Sequence, residues 1–301
     1  MSKKNAAKII GITLKPTSTT DYYHLIPNLC TWLAKRKRTI VFRVEEKDRV
    51  HKFFKTKDLP QIEFYNEKDF HKNVDLMLSL GGDGTLIGVC RRINPKIPIL
   101  GINLGRLGFI TEYNKHEFYD SLESIINGQY ETHAKPLYHV SVERKGKSHF
   151  QEYFFNDAVC AKNDIARMLY LRAEAEGEHI YNLAGDGIII STTMGSTAYS
   201  LAAGGPIVHP EVKALLLTPI CPHSLSHRPF VIPENYGLTL KLMPPYQSAT
   251  LTIDGQVALS IEETDAVVIN RKKPKKVLLI KNPNRFYFHT ISEKFVDNRR
   301  S

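Results

Sequence analysis

Leu78-Ser79-Leu80-Gly81-Gly82-Asp83-Gly84-Thr85-Leu86-Ile87-Gly88 runs apolar, sheds its side chains around a single carboxylate, and then turns apolar again. An apolar run that ends in glycines and gives way to a helical pattern reads as strand, loop and helix. That order puts the loop at the carboxyl edge of a parallel α/β sheet, where open folds of this kind bind ligands. The three glycines permit positive φ and leave backbone N–H groups bare, and the helix N-terminus that follows favours anions. Phosphate is the natural guest. The loop is nevertheless no Walker A, because the Lys of GxxxxGK[ST] is missing, and GxGxxG is broken because Gly88 falls one residue late. A carboxylate takes the central place. Beside phosphates it repels them unless a divalent cation lies between, or unless it accepts a proton from a hydroxyl that attacks phosphorus. The plainer reading is that Asp83 caps the next helix.

Working outward, residues 8–14, 39–44, 75–80 and 97–102 are compact apolar runs, as strands buried on both faces should be. Amphipathic stretches at 22–36, 86–93 and 116–126 are expected to be helices, which makes the first part a parallel, Rossmann-like α/β domain. From about Leu137 the period changes to two: Tyr138, Val140 and Val142 alternate with His139, Ser141 and Glu143, and Leu238, Leu240 and Leu242 alternate with Thr239 and Lys241. Further short runs at 168–174, 188–190, 251–253, 267–269 and 277–280 complete a β-rich, β-sandwich-like second domain. The expected division is an α/β domain over 1–132 and a β-rich domain over 133–283, with a weakly helical segment from about 284 to 301 packing back on the first.

The 301 residues carry a net charge of +10, which favours anionic partners without choosing among them. The densest basic run, Arg271-Lys272-Lys273-Pro274-Lys275-Lys276, reads as a solvated turn between two apolar strands, and no nucleic-acid-binding motif accompanies it. Cys30, Cys90, Cys160 and Cys221 lie far apart, so neither a zinc site nor a disulfide framework is indicated, and a reducing cytoplasm is expected. No leader peptide and no run of about 18 apolar residues is found, so no membrane partner is expected.

Further motifs follow the glycine loop in order. They are Asn103-Leu104-Gly105-Arg106-Leu107-Gly108-Phe109, Asn156-Asp157, Gly185-Asp186-Gly187, Gly195-Ser196-Thr197-Ala198-Tyr199-Ser200, Gly204-Gly205-Pro206, the Pro-rich segment from Leu217 to Pro229, and Asp254-Gly255-Gln256. Each is weak alone: Asn156-Asp157 is also a plain turn, and Ser196 or Thr197 is also a helix cap. Jointly, over residues 78–256, the set closely resembles the NAD kinase family. The glycine loop itself is also found in diacylglycerol and sphingosine kinases and in phosphofructokinases. A lipid acceptor, however, would call for an amphipathic membrane-facing segment that is not found.

The resemblance implies an ATP-dependent transfer of phosphate to the 2′-hydroxyl of the adenosine ribose of NAD, with Mg²⁺ or another divalent metal assisting. It makes Asp83 the catalytic acid that orients or deprotonates that hydroxyl, with Gly82, Gly84 and Thr85 shaping the phosphate approach. Asn156 and Asp157 correspond to the pair that binds the adenosine moiety, although the family usually has Glu where Asp157 stands. Asp186 corresponds to an acid at the second ribose or nicotinamide end, Thr197, Ala198 and Tyr199 to the segment lining the dinucleotide pocket, and Phe109 to a residue near the adenine. His223 and Arg228 fall in a segment that the family uses architecturally, and Asp254-Gly255-Gln256 borders the site. The resemblance further implies a catalytic cleft between the two domains and a homodimer or homotetramer. The family commonly has Thr-Pro-Thr where Thr192-Thr193-Met194 stands, and a Ser where Ala202 stands.

Overall fold

The computed structural model describes residues 5–17, 20–54, 60–105, 108–164 and 167–295. Arg106 and Leu107 of the Asn103–Phe109 motif, and residues 1–4 and 296–301 of the expected first domain, lie outside that set. The chain divides into two compact units, one formed by Met1–Lys135 with Lys276–Ser301 and the other by Pro136–Lys275.

In chain order the first unit contains β1 (Ile9–Leu14), α1 (Tyr22–Lys35), β2 (Thr39–Arg43), α2 (Lys47–His51), β3 (Ile62–Tyr65), α3 (Glu67–Phe70), β4 (Leu76–Gly81), α4 (Asp83–Arg92), β5 (Pro98–Asn103), β6 (Tyr113–Asn114) and α5 (Phe118–Ile126). Every strand pairing is parallel and the order is β3-β2-β1-β4-β5. The chain leaves β1 in one direction, returns beside it at β4, and so makes its topological switch between those two strands. The glycine loop follows β4, at that switch. β4 and β5 are buried along their whole length, which is why they read as continuous apolar runs. Helix α1 buries Tyr22, Ile26, Leu29, Cys30 and Leu33, one stripe at helical spacing, against Ile10, Ile12 and Leu14 of β1 and Leu76, Leu78 and Leu80 of β4 in a single core.

The second unit is built from β7 (Thr132–Arg144), β8 (Lys147–Phe154), β9 (Asp157–Lys162), β10 (Leu169–Ala175), β11 (Glu178–Gly185), β12 (Gly187–Thr192), α6 (Tyr199–Ala202), β13 (Ala214–Ile220), β14 (Phe230–Pro233), β15 (Leu238–Leu242), β16 (Ala249–Ile253), β17 (Val257–Ile261) and β18 (Asp265–Ile280). One antiparallel sheet runs β14-β13-β12-β9-β16-β17, and the antiparallel series β11-β10-β15-β18 faces it. Leu169 and Leu171 of β10, Ile188 and Ile190 of β12 and Leu238, Leu240 and Leu242 of β15 share one core, the arrangement of a β-sandwich. Strict alternation of buried and part-exposed positions in β10 and β16 is the physical origin of the period-two pattern.

The basic run at 271–276 is not a turn. It lies inside β18, a strand of 16 residues that pairs with β7 and, through Leu278 and Leu279, with β5. Lys, Arg and Pro disfavour strand structure, but ladder pairing on both flanks overrides that local preference. The last helix, α7 (Tyr287–Phe295), belongs to the first unit.

At the carboxyl edge of the first sheet the Tyr22 hydroxyl donates to Leu80 O at 2.8 Å and accepts from Lys15 N at 2.7 Å, with its ring fully buried. This clamp holds the ends of β1 and β4 just before the glycine loop. Replacing Tyr22 by Phe removes both hydroxyl bonds while Leu80 O keeps Lys15 N at 3.0 Å, and is expected to cost about 0.5–1.5 kcal/mol in denaturant unfolding; an unchanged midpoint would show that the clamp contributes nothing.

Candidate functional site

In the glycine loop, Gly82 is the N-cap of α4 with an extended backbone and Asp83 is the first helical residue, three positions earlier than the helix expected from the apolar pattern. None of Gly81, Gly82 and Gly84 adopts a positive φ, so conformational licence is not their use. Space is. A Cβ on Gly81 would lie 2.3 Å from Thr85 Oγ1, whereas one on Gly84 would meet nothing within 4 Å, leaving that side of the loop open to approach.

Asp83 does not cap its own helix. Its carboxylate turns onto the segment after the Asn103–Phe109 motif, where Oδ2 accepts from Phe109 N at 2.8 Å. Oδ1 accepts from Thr111 N at 2.9 Å, Thr111 Oγ1 at 2.8 Å and, more weakly, Ile110 N at 3.3 Å. The half-exposed acid thereby holds the return of the loop against the start of α4. Gly108 makes this possible, since a Cβ there would stand 1.9 Å from Asp83 Oδ1 and 2.4 Å from Thr111 Oγ1. The Phe109 ring stacks on Phe295 of α7 with centroids 5.6 Å apart, and Lys294 Nζ lies 4.8 Å from its centre.

A second carboxylate organises the other candidate residues. Asp254, at φ +49° in the turn between β16 and β17, accepts from Phe155 N at 2.9 Å, Asn156 N at 2.7 Å and Asp157 N at 3.0 Å. Its own N–H donates to Asp157 O at 2.9 Å. Composition alone makes Asp254-Gly255-Gln256 a turn; its anchoring of the Asn156-Asp157 pair was not legible. The one signal was an acid in a turn after an alternating strand, a position where Asp tolerates positive φ. Asn156 Oδ1 is buried with no hydrogen-bond partner among the described residues. Asp157 is buried, and burial first, with the Asp254 carboxylate second, pushes its carboxyl up to about 7.

Gly195 seats the pocket segment directly on this pair, because a Cβ there would meet Asn156 O at 2.2 Å. Thr192 donates its hydroxyl to Phe155 O at 2.7 Å and accepts from Gly195 N at 3.1 Å. The hydroxyls of Ser196 and Thr197 bond back to Thr193 O and Met194 O, so neither is a helix cap, and α6 is only four residues long. Tyr199 is exposed and Ala198 opens α6. The fold therefore gathers Asn156, Asp157, Thr197, Ala198 and Tyr199 at one end of β9 and β12. Asp186 is elsewhere. It precedes β12 at the opposite end, six residues or roughly 20 Å along the strand, and pairs with Lys162 Nζ at 2.7 Å. His223 and Arg228 lie on the loop between β13 and β14, where the Arg228 carbonyl accepts from the Tyr181 hydroxyl.

Two outcomes follow from these contacts. Gly108→Ala is expected to lower the thermal midpoint, and the loss should shrink in an Asp83→Ala background, where part of the clash is gone; equal losses in both backgrounds would refute the contact. For Asp157, the folded chain between about pH 4 and about 7 holds a proton that the unfolded chain has released. That contribution is therefore present on the acid side and lost as pH rises towards 7. Asp157→Asn should remove this component, so the wild-type midpoint falls relative to the variant as pH is raised across that window, and parallel curves would contradict it.

Residues 10–130 match the family model described as the ATP-NAD kinase N-terminal domain, and residues 155–281 match that of the ATP-NAD kinase C-terminal domain. The NAD kinase of Solibacter usitatus is 37% identical over 95% of this chain and 96% of its own length. That of Magnetococcus marinus is 34% identical over 88% of this chain and 86% of its own. In fold, the chain is similar to yeast NADH kinase crystallised with NADH, with a TM-score of 0.85 at 24% identity, covering 99% of this chain and 90% of that one. It is also similar to an NAD kinase from Archaeoglobus fulgidus in complex with ATP, with a TM-score of 0.68 at 22% identity, covering 92% and 95%. The chain belongs to the NAD kinase family and is an enzyme of that family.

Proposed function

We propose that the protein transfers the γ-phosphoryl group of ATP to the 2′-hydroxyl of the adenosine ribose of NAD, forming NADP and ADP, with Asp83 serving the attacking hydroxyl. The observation that carries this reading is the carboxylate itself. It is held rigidly by donors from residues 109–111, beside a glycine whose side faces open space. The hydroxyl oxygen bonds to the γ-phosphorus as the bond to the departing ADP oxygen breaks, and its proton passes to Asp83 and from there to solvent. A positioned acceptor of this kind is worth roughly 10² to 10⁴ in rate.

Asn156 and Asp157 are suited to the adenosine end. The buried Oδ1 of Asn156 is an acceptor that an exocyclic amine would satisfy, and Asp157, once ionised, accepts from ribose hydroxyls. Thr197 and Ala198 allow a close approach and Tyr199 offers an exposed ring for stacking. Asp186 would serve the second ribose or nicotinamide end. Among the described residues no group of three His, Cys, Asp or Glu side chains is gathered to hold a metal. A divalent cation arriving on the ATP phosphates would neutralise charge there. No helix among the described residues is long and apolar enough to cross a membrane. By family likeness we read the protein as a cytoplasmic homodimer or homotetramer.

The test is NADP formation from NAD, ATP and Mg²⁺, read through an NADP-specific dehydrogenase, with Asp83→Asn assayed beside wild type. The variant is expected to lose 10² to 10⁴ in kcat while keeping NAD affinity within a few-fold. Failure of the wild type to make NADP while still binding NAD would overturn the reading in favour of another acceptor or a non-catalytic nucleotide sensor.

A further inference from the structure

The two oxygens of the Asp83 carboxylate are not equivalent, and the difference is imposed by one side chain. Oδ1 takes two strong hydrogen bonds from the same residue, Thr111 N at 2.9 Å and Thr111 Oγ1 at 2.8 Å, and a third, longer one from Ile110 N at 3.3 Å. A carboxylate oxygen offers about two lone-pair sites, so Oδ1 is filled. Oδ2 takes one bond from a described residue, Phe109 N at 2.8 Å, and keeps acceptor capacity.

The direction of the Thr111 hydroxyl is settled by its other neighbour. Asn103, at the end of β5, accepts from Gly105 N through Oδ1 at 2.8 Å, which leaves its Nδ2 to donate to Thr111 Oγ1 at 2.9 Å. Thr111 Oγ1 therefore accepts a hydrogen bond from Asn103, and its single O–H can point only to Asp83. Both residues are buried, Thr111 to 1% exposure, so water does not compete for these bonds. A chain of donation results, from Asn103 through Thr111 to Asp83, each bond polarising the next.

We propose that Thr111 is a positioning residue for phosphoryl transfer, which occupies Oδ1 and so presents Oδ2 of Asp83 to the acceptor hydroxyl. The inference rests on Asp83 being the proton acceptor, as proposed above. Removing the hydroxyl while keeping the shape, in Thr111→Val, takes one of the two strong bonds from Oδ1, leaving the Thr111 N–H, and leaves Asn103 Nδ2 without its acceptor. The carboxylate, still held by the N–H groups of Phe109 and Thr111, is then less firmly oriented and Oδ1 can compete with Oδ2 for the acceptor hydroxyl, and a small misplacement of a reacting group costs on the order of 10²-fold. Thr111→Ser restores the donor.

The experiment measures kcat and the KM values for NAD and ATP in wild type, Thr111→Val, Thr111→Ser and Asp83→Asn, with a thermal midpoint for each. The expected result is a kcat lowered about 10- to 100-fold in Thr111→Val with both KM values within about 3-fold, and a return to within about 3-fold of wild type in Thr111→Ser. A merely structural bond would lower the midpoint of Thr111→Val and leave kcat of the folded enzyme near wild type, and that outcome overturns the proposal. So does failure of Thr111→Ser to recover kcat although it is as stable as wild type. Should Thr111→Val not fold, the proposal stands or falls on Thr111→Ser compared with Thr111→Ala. Retention of full turnover by Asp83→Asn instead overturns the reading of Asp83 on which the inference is built, whatever Thr111 does.

Discussion

A carboxylate set opposite a short row of backbone N–H groups is the interaction on which the candidate site depends. Asp83 ties the first turn of α4 to residues 109–111, two segments that leave the sheet from neighbouring strands and have no ladder to hold them together. Buried N–H groups must be paired, and a loop cannot pair its own in sequence as a helix does. One ionised acceptor satisfies several of them at once, with bonds stronger than those between neutral groups. The constraint runs both ways: the loop needs the acid to be ordered, and the acid needs the loop to have a fixed direction.

The second unit uses the same device independently. Asp254 accepts from three consecutive backbone N–H groups, those of residues 155, 156 and 157, and so sets the conformation in which Asn156 and Asp157 leave β8 and enter β9. Here the consequence is electrostatic as well as geometric. The Asp254 charge adds to burial in making ionisation of Asp157 unfavourable, so this pair of acids does not behave as two ordinary surface carboxylates. A carboxyl that titrates near neutrality beside an amide oxygen with no partner is costly to maintain in a folded core, and such costs concentrate where a ligand supplies the missing bonds.

How far these features were legible depends on the range of the interaction. β4 and β5 were readable because each is buried on both faces, and the Leu238 and Leu251 strands because one face is buried, whereas the part-buried β3 carries no such run and was missed: period and run length are local properties. The candidate residues Asp83, Asn156 and Asp157 could be singled out because the glycine loop and the ordered motifs are local too. What stayed hidden was who binds whom. Nothing near Asp83 in sequence announces that its partners lie 26 to 28 residues later, or that Asp254 reaches back 97 to 99 residues. The basic run at 271–276 was misread for the same reason, since it lies inside a strand whose partners β5, β7 and β15 are distant in sequence.

Glycine spacing shows the same limit from the other side. A glycine-rich loop invites the explanation that the backbone must adopt conformations closed to other residues, yet none of the three glycines around Asp83 does so. They differ in what a side chain would strike. At Gly81 it would strike Thr85 within the loop, and at Gly108 it would strike the Asp83 carboxylate itself. At Gly84 it would strike nothing, and the space it would occupy is exposed. Gly81 in the loop, and Gly108 outside it, are therefore explained by the protein's own packing. Gly84 has no such internal reason, and its bare backbone leaves the exposed side of the loop open beside the directed carboxylate.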